Sequence, residues 1–158
     1  MSFAFGKTSA GRLATVNPKL QAVIKRALQL TTVDFMVLEG VRTPERQREL
    51  YGQGRSTTDC TKAGISVRYA KPHLQKVTWT LRSNHFAAAD GFGRAVDLVP
   101  FPVNWTDLAK FDAIARAVLA AGKELGVGIR WGADWDQDGK PREKGETDSP
   151  HFELEPQE

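Results

Sequence analysis

At 158 residues, 41% of them hydrophobic and 26% charged, the chain has the make-up of one globular domain, 1–158, and wholesale disorder is excluded. With 22 Lys and Arg against 19 Asp and Glu, the formal charge is +3, which suits an anionic partner such as nucleic acid or a cell-envelope polymer without selecting either. The single cysteine, Cys60, excludes an internal disulfide and a Cys-rich zinc knuckle; in the polar TDCTKAG it is read as incidental.

The opening MSFAFGKTSAGRLATV has no long apolar run, and no segment reaches membrane-spanning length. A cytosolic product with no signal peptide and no membrane insertion is expected. Asn17 is placed to cap a helix with Pro18 at its first position, and Leu20, Val23, Ile24, Ala27 and Leu28 follow at helical spacing. DFMVLEG, Asp34 to Gly40, reads as a short buried strand. Thr43 and Pro44 open a second helix, PERQRELY, stopped by Gly52 and Gly54. Residues 55–75, rich in Gly, Ser, Thr and Lys, read as a long loop, with His73 exposed in it and not a ligand.

VTWTLR is expected to be a strand leading to Ser83, and RAVDLV a second, ended by Pro100 and Pro102. Thr106 is assigned as the cap of the clearest helix, with Leu108, Phe111, Ile114, Ala115, Val118 and Leu119 on its apolar face and Gly126 at its end. VGIRW and HFEL complete the strands. The pattern predicts an α+β fold, a small, mostly antiparallel sheet with two to three helices.

Asp97 is the chemical anomaly, a carboxylate between Val96 and Leu98 in a buried strand, and such a group needs a partner. A hydrolytic zinc site uses about three N or O ligands, plus a carboxylate to take a proton from water and a cation to hold the developing oxyanion. The three histidines are His73, His85 and His151. His85 precedes RAVDL and His151 opens HFEL, so adjacent strands could bring both to Asp97, with Asp148 near enough to act as base. Taken singly, these residues are as well explained by satisfied structural roles.

Ser83, His85, then Gly93, Ala95, Asp97, then Asp148 and His151 follow Ser-x-His, Gly-x-Ala-x-Asp, Asp-x-x-His. This pattern resembles the zinc peptidases of peptidoglycan: D-alanyl-D-alanine carboxypeptidases, vancomycin-resistance dipeptidases and the L-alanyl-D-glutamate endopeptidases of phage endolysins. EGVRTPERQRELYGQG resembles the family's Arg-containing segment, and RWGADW followed by PHFEL resembles the endolysin branch. The resemblance spans roughly residues 17–154.

It implies a zinc site on the sheet, in a fold like that of the hedgehog and D-Ala-D-Ala peptidase group. Zn²⁺ would be held by His85, Asp97 and His151, with Asp148 as base, Arg42 polarising the scissile carbonyl, and Ser83 and Gln47 shaping the substrate site. The Phe86–Val96 gap is longer than the family's usual one, and AAADG brings Asp90 forward as an alternative ligand. Asp97 is preferred for its Gly-x-Ala-x-Asp-Leu context, and Asp90 reads as a turn residue beside Gly91.

DWDQDG, with Asp134, Asp136 and Asp138, copies the first half of a calcium loop. Its twelfth position is Gly145 where Glu is expected, with Glu143 and Glu146 near it, so a Ca²⁺ site and a solvated acidic turn both stand. The function expected is that of a phage endolysin, a monomeric peptidase acting on peptidoglycan and held in the host cytoplasm until released to the wall. The alternatives are a D-alanyl-D-alanine carboxypeptidase or dipeptidase and a catalytically silent, zinc-containing wall-binding domain. Nucleic acid is not expected as a partner, because the basic residues are scattered without interleaved aromatics.

Overall fold

A computed structural model describes residues 3–156; the ends of the expected 1–158 domain lie outside the described residues. Ten elements follow in order: α1 (Lys7–Leu13), α2 (Pro18–Leu30), β1 (Phe35–Glu39), α3 (Pro44–Gly52), α4 (Thr57–Lys62), a 3₁₀ turn (Val67–Tyr69), β2 (Ala95–Pro100), α5 (Leu108–Leu125), β3 (Ile129–Trp131) and β4 (His151–Leu154). The four strands form one antiparallel sheet in the order β1-β2-β4-β3. The expected α+β fold with a small antiparallel sheet holds, but the described residues form five α-helices where two to three were expected, the short α1 and α4 being the additions.

Local chemistry explains most element boundaries. Asn17 caps α2 by accepting from the Lys19 amide at 2.9 Å, and Pro18 occupies the first turn, where no N–H is needed. Thr43 caps α3 by accepting from the Arg46 amide at 3.1 Å. The cap of α5 is Asp107 rather than Thr106. The Asp107 carboxylate reaches the Lys110 amide at 3.3 Å, whereas the Thr106 hydroxyl donates to Asn104 at 2.9 Å. Its buried face is Phe111, Ile114, Ala115, Val118 and Ala121, with Leu108 and Leu119 flanking it in solvent.

Two further expectations fail. Residues 55–75 are not a long loop, because Ser56 and Asp59 form a reciprocal capping box that starts α4 and buries Cys60. VTWTLR is not a strand: residues 77–82 form a largely exposed strap, where alternation of Val, Trp and Leu reflects surface display rather than pairing.

Helices α2 and α5 pack on each other and, with α1, cover one face of the sheet. Because side chains alternate along a strand, the same register that puts Val96, Leu98, Phe152 and Leu154 in the core turns Asp97, His151 and Glu153 to the other face. Asp97 pairs directly with His151. A bulge between Val37 and Glu39 sets Glu39 opposite Asp97, on the site face. One face of the sheet is therefore core, and the other is available for chemistry.

Candidate active site

The free face floors an open groove of about 1130 Å³. Three ligand-type atoms converge at its base: His85 Nε2 and His151 Nδ1 each lie 3.4 Å from Asp97 Oδ1. His85 is 2% exposed and His151 is 8% exposed. His85 Nε2 and Asp97 Oδ1 are buried with no hydrogen-bond partner, an arrangement that natural proteins avoid unless something else occupies the site.

The other nitrogen of each ring is spoken for. His85 Nδ1 lies 2.8 Å from the Gly40 carbonyl, so it carries the proton and leaves the Nε2 lone pair facing Asp97. His151 Nε2 lies 2.8 Å from Glu153 Oε1, which leaves Nδ1 for the cluster. Glu153 is itself held by Arg130 at 2.8 Å and Asn84 at 2.7 Å. Ligands about 2.0–2.1 Å from a tetrahedral zinc are separated by roughly 3.3–3.4 Å, and the two 3.4 Å separations match. The donor set, the tautomers and the unpartnered atoms all fit a metal ion.

The protein groups alone already favour positive charge here. Burial opposes a charged His151, but the carboxylates of Asp97, 3.4 Å from Nδ1, and of Glu153, bonded to Nε2, override it and push the imidazolium up to about 10. Burial likewise opposes a charged Asp97, yet the two histidines hold it well below the ordinary carboxylate range. Glu153, despite burial, is drawn down to about 2 by His151 and Arg130.

Asp148 stands at the rim, its side chain 53% exposed and its Oδ2 3.8 Å from His151 Nδ1. Burial of its immediate surroundings raises its pKa, with Asp97 adding and His151 opposing. Its backbone is tied to Gly132, whose carbonyl accepts from the Asp148 amide at 3.2 Å and whose N–H donates to His151 at 2.8 Å. A Cβ at Gly132 would collide with the Asp148 carbonyl and come within 3.0 Å of His151 Cβ.

Arg42 lies on the β1 side. Its Nε and one terminal nitrogen grip Glu39 at 2.8 and 2.7 Å, and the other donates to Gln47 Oε1 at 2.8 Å. Three of the five guanidinium donors are thus engaged, leaving one N–H on each terminal nitrogen, and one of those nitrogens is 3.5 Å from Asp97 Oδ2. Gln47 is 1% exposed and also donates to the Thr80 carbonyl at 2.8 Å, so it braces Arg42 against the strap. Ser83 Oγ accepts from the His85 amide at 3.0 Å and fixes the turn that presents the ring.

The expected residues thus converge: His85, Asp97, His151, Asp148, Arg42, Gln47 and Ser83 all line one groove. Asp90 does not join them; it is exposed and accepts from the Phe92 amide at 3.0 Å, a turn residue. His73 is exposed. Sequence reasoning missed Glu39 and Glu153. Glu153 had a signal, since the second residue after His151 on a strand shares its face, whereas Glu39 depends on a bulge that no local pattern announced.

Asp134, Asp136 and Asp138 lie in a turn 134–139 beyond β3. Asp134 is 8% exposed and accepts from the amides of Asp138 at 3.2 Å and Gly139 at 3.0 Å. Asp134 and Asp136 gather with Glu146, and Asp136 and Asp138 with Glu143. Glu146 is 5% exposed, accepts from the Asp136 amide at 3.2 Å, and leaves Oε1 buried without a partner.

Sheet and site together define a class: a small antiparallel sheet bearing on its open face a His-Asp-His group able to hold a metal, flanked by a carboxylate and a guanidinium. The chain belongs to the phage L-alanyl-D-glutamate peptidase family, whose model matches residues 1–155. It is 35% identical to the L-alanyl-D-glutamate peptidase of Escherichia phage T5 over 161 aligned positions, covering 98% of this chain and 99% of that protein. Among solved structures it is similar to an L-Ala D-Glu endopeptidase of Serratia marcescens, with a TM-score of 0.64 and 31% identity over 96% of this chain and 90% of the other.

Proposed function

We propose that the protein is a zinc peptidase of the phage endolysin type, which hydrolyses the L-alanyl–D-glutamate bond in the peptide stem of peptidoglycan. The observation that carries this reading is the buried triangle of His85 Nε2, Asp97 Oδ1 and His151 Nδ1, two of whose atoms have no partner in the protein. Family membership supports the bond chosen. Zinc held by these three atoms would bring a bound water towards pKa ~7 and polarise the scissile carbonyl.

The chain's own residues supply the rest. Asp148, at the rim and with its proton affinity raised, accepts the proton of the attacking water and passes it to the leaving amine of D-glutamate. Arg42 turns its two free N–H groups to the carbonyl oxygen as negative charge builds there, while Glu39 and Gln47 keep the guanidinium from swinging away. Ser83 holds the His85 turn in the wall of the groove, and Gln47 braces Arg42 from beneath it. In this reading 1–158 is a single domain, acting as a monomer and passing from the host cytoplasm to the wall. Among the described residues no helix is long and apolar enough to cross a membrane.

The turn 134–139 is assigned to calcium, with Asp134, Asp136 and Glu146 as first ligands and Asp138 beside them. The support is the partnerless Glu146 Oε1 and the mutual repulsion of the carboxylates, which burial of Asp134 sharpens.

Mass spectrometry of purified peptidoglycan after digestion tests the reaction. New ends should be a C-terminal L-alanine left on the glycan and an N-terminal D-glutamate on the released peptide. Ends at D-alanine instead would contradict the assignment.

A further inference from the structure

The groove has two unlike walls, and sheet order sets them apart. Beyond the β1 edge stand Arg42, Arg46 and Gln47; beyond the β3 edge stands Trp135, with Asp97 on β2 and His151 on β4 between them. Trp135 lies 5.4 Å from the His151 ring, with the Arg130 guanidinium 5.5 Å from its own centroid. Trp105 lines the same groove, is 54% exposed, and stacks on Phe111 at 6.1 Å and 27°. The next residue of α5, Asp112, pairs with Arg142 at 2.9 Å, which ties the Trp135 loop to the same end of that helix. Both indoles are therefore held in place by protein while keeping accessible surface towards the groove.

We propose that Trp135 and Trp105, two indoles lining this groove, form a subsite for the N-acetylmuramoyl sugar that bears the stem, so that the enzyme reads glycan as well as peptide. The inference rests on the L-alanyl–D-glutamate reading. In peptidoglycan the L-alanine is joined through its amine to the lactyl ether of that sugar. A cut after this first residue leaves one amino acid and a lactyl group between scissile carbonyl and sugar, on the order of 7 Å of chain. An enzyme making that cut must accommodate a saccharide close beside its reacting centre. The C–H face of a pyranose is apolar and the hydroxyls at its edge are polar, which suits a fixed, partly exposed indole. The opposite wall suits the other side of the bond, because the released peptide carries carboxylates and Arg46 stands there.

The test compares kcat/KM on two substrates carrying the same bond: a glycan-linked stem peptide, and the free stem peptide with its terminal amine acetylated. Zinc-loaded wild type should prefer the glycan-linked form. Trp105→Ala should lose roughly tenfold on it, the scale of one aromatic contact, and less than about twofold on the free peptide, with Trp105→Phe recovering most of the loss. Trp135→Phe is the second probe, should Trp105→Ala unfold. Equal losses on both substrates, or no loss on the glycan-linked one, would overturn the subsite. Titration of a peptide-free muramoyl oligosaccharide, followed by tryptophan fluorescence, separates this from the peptidase reading. Quenching that disappears in Trp105→Ala supports the subsite even if neither substrate is cut at L-Ala–D-Glu, and no response at millimolar saccharide contradicts it.

Discussion

His85, Asp97 and His151 stand on backbone that is already hydrogen-bonded. Asp97 and His151 are register partners in the sheet, and the His85 turn is fixed by its amide to Ser83 and its carbonyl to the Arg42 amide at 2.7 Å. Asp134, Asp136 and Asp138 stand on a turn whose amides bond the carboxylates of that same turn. The first cluster has its geometry set by the fold, and its ring nitrogens are oriented by Gly40 and Glu153. The second is held only by the hydrogen bonds of its own turn, so a cation bound there would have to supply part of its order. A preorganised site is tight and exacting about its ligands, whereas a site that orders on binding is weaker, because part of the binding energy goes into ordering.

The largest expected effect comes from removing a cluster ligand. His151→Ala and Asp97→Ala should each lose zinc and all measurable lysis, whereas Asp90→Ala should keep both; metal analysis of the purified variants decides. An Asp97→Ala protein with full zinc and full activity would remove Asp97 from the site. Next is Asp148→Ala, which should keep zinc and fold but lose turnover by ~10²–10⁴-fold, read as kcat on a defined stem peptide.

Glu153→Gln tests the support beneath His151. It should weaken zinc affinity by about 10–100-fold, measured by chelator competition, because the carboxylate that orients the ring is gone. Protons compete for the same lone pair. With the His151 pKa pushed up to about 10 by Asp97 and Glu153, the metal-free protein carries a proton there at pH 7. Zinc binding should therefore release it, and apparent affinity should climb about tenfold per pH unit through neutrality. A flat profile between pH 6 and 8 would mean that His151 is not the nitrogen being metallated.

The smallest effect belongs to the loop. Calcium should bind the zinc-loaded protein only at ~10⁻⁴–10⁻³ M, and Asp134→Asn should abolish the calorimetric signal while leaving zinc content intact. Unchanged lysis and no heat at millimolar calcium would reduce the loop to an acidic turn.

Much of this was legible in the chain because the signals were short-range. Asn17-Pro18 and Thr43-Pro44 announced helix starts, and Val96-Asp97-Leu98 announced a strand with one residue out of character. The cluster itself was legible only through the family resemblance carried by Ser83-x-His85, Gly93-x-Ala95-x-Asp97 and Asp148-x-x-His151. What was not legible depended on contacts distant in sequence. Glu39 reaches Asp97 through a bulge, and Gln47 is buried by the strap residues Thr78 and Thr80. The strap itself resembled a strand because alternation alone does not reveal whether a partner strand exists. The Ser56–Asp59 capping box is a short-range signal that a reading of 55–75 from composition alone passes over.

The central claim is that one metal ion sits among His85 Nε2, Asp97 Oδ1 and His151 Nδ1. Anomalous diffraction from crystals of the zinc-loaded protein, collected on both sides of the zinc edge, addresses it most directly. The account predicts a single strong peak within about 2.0–2.2 Å of those three atoms, with Asp148 and Arg42 beside it but not bound to it. A peak coordinated by Asp90, or a strongest peak in the Asp134–Glu146 loop with none at His151, would contradict it.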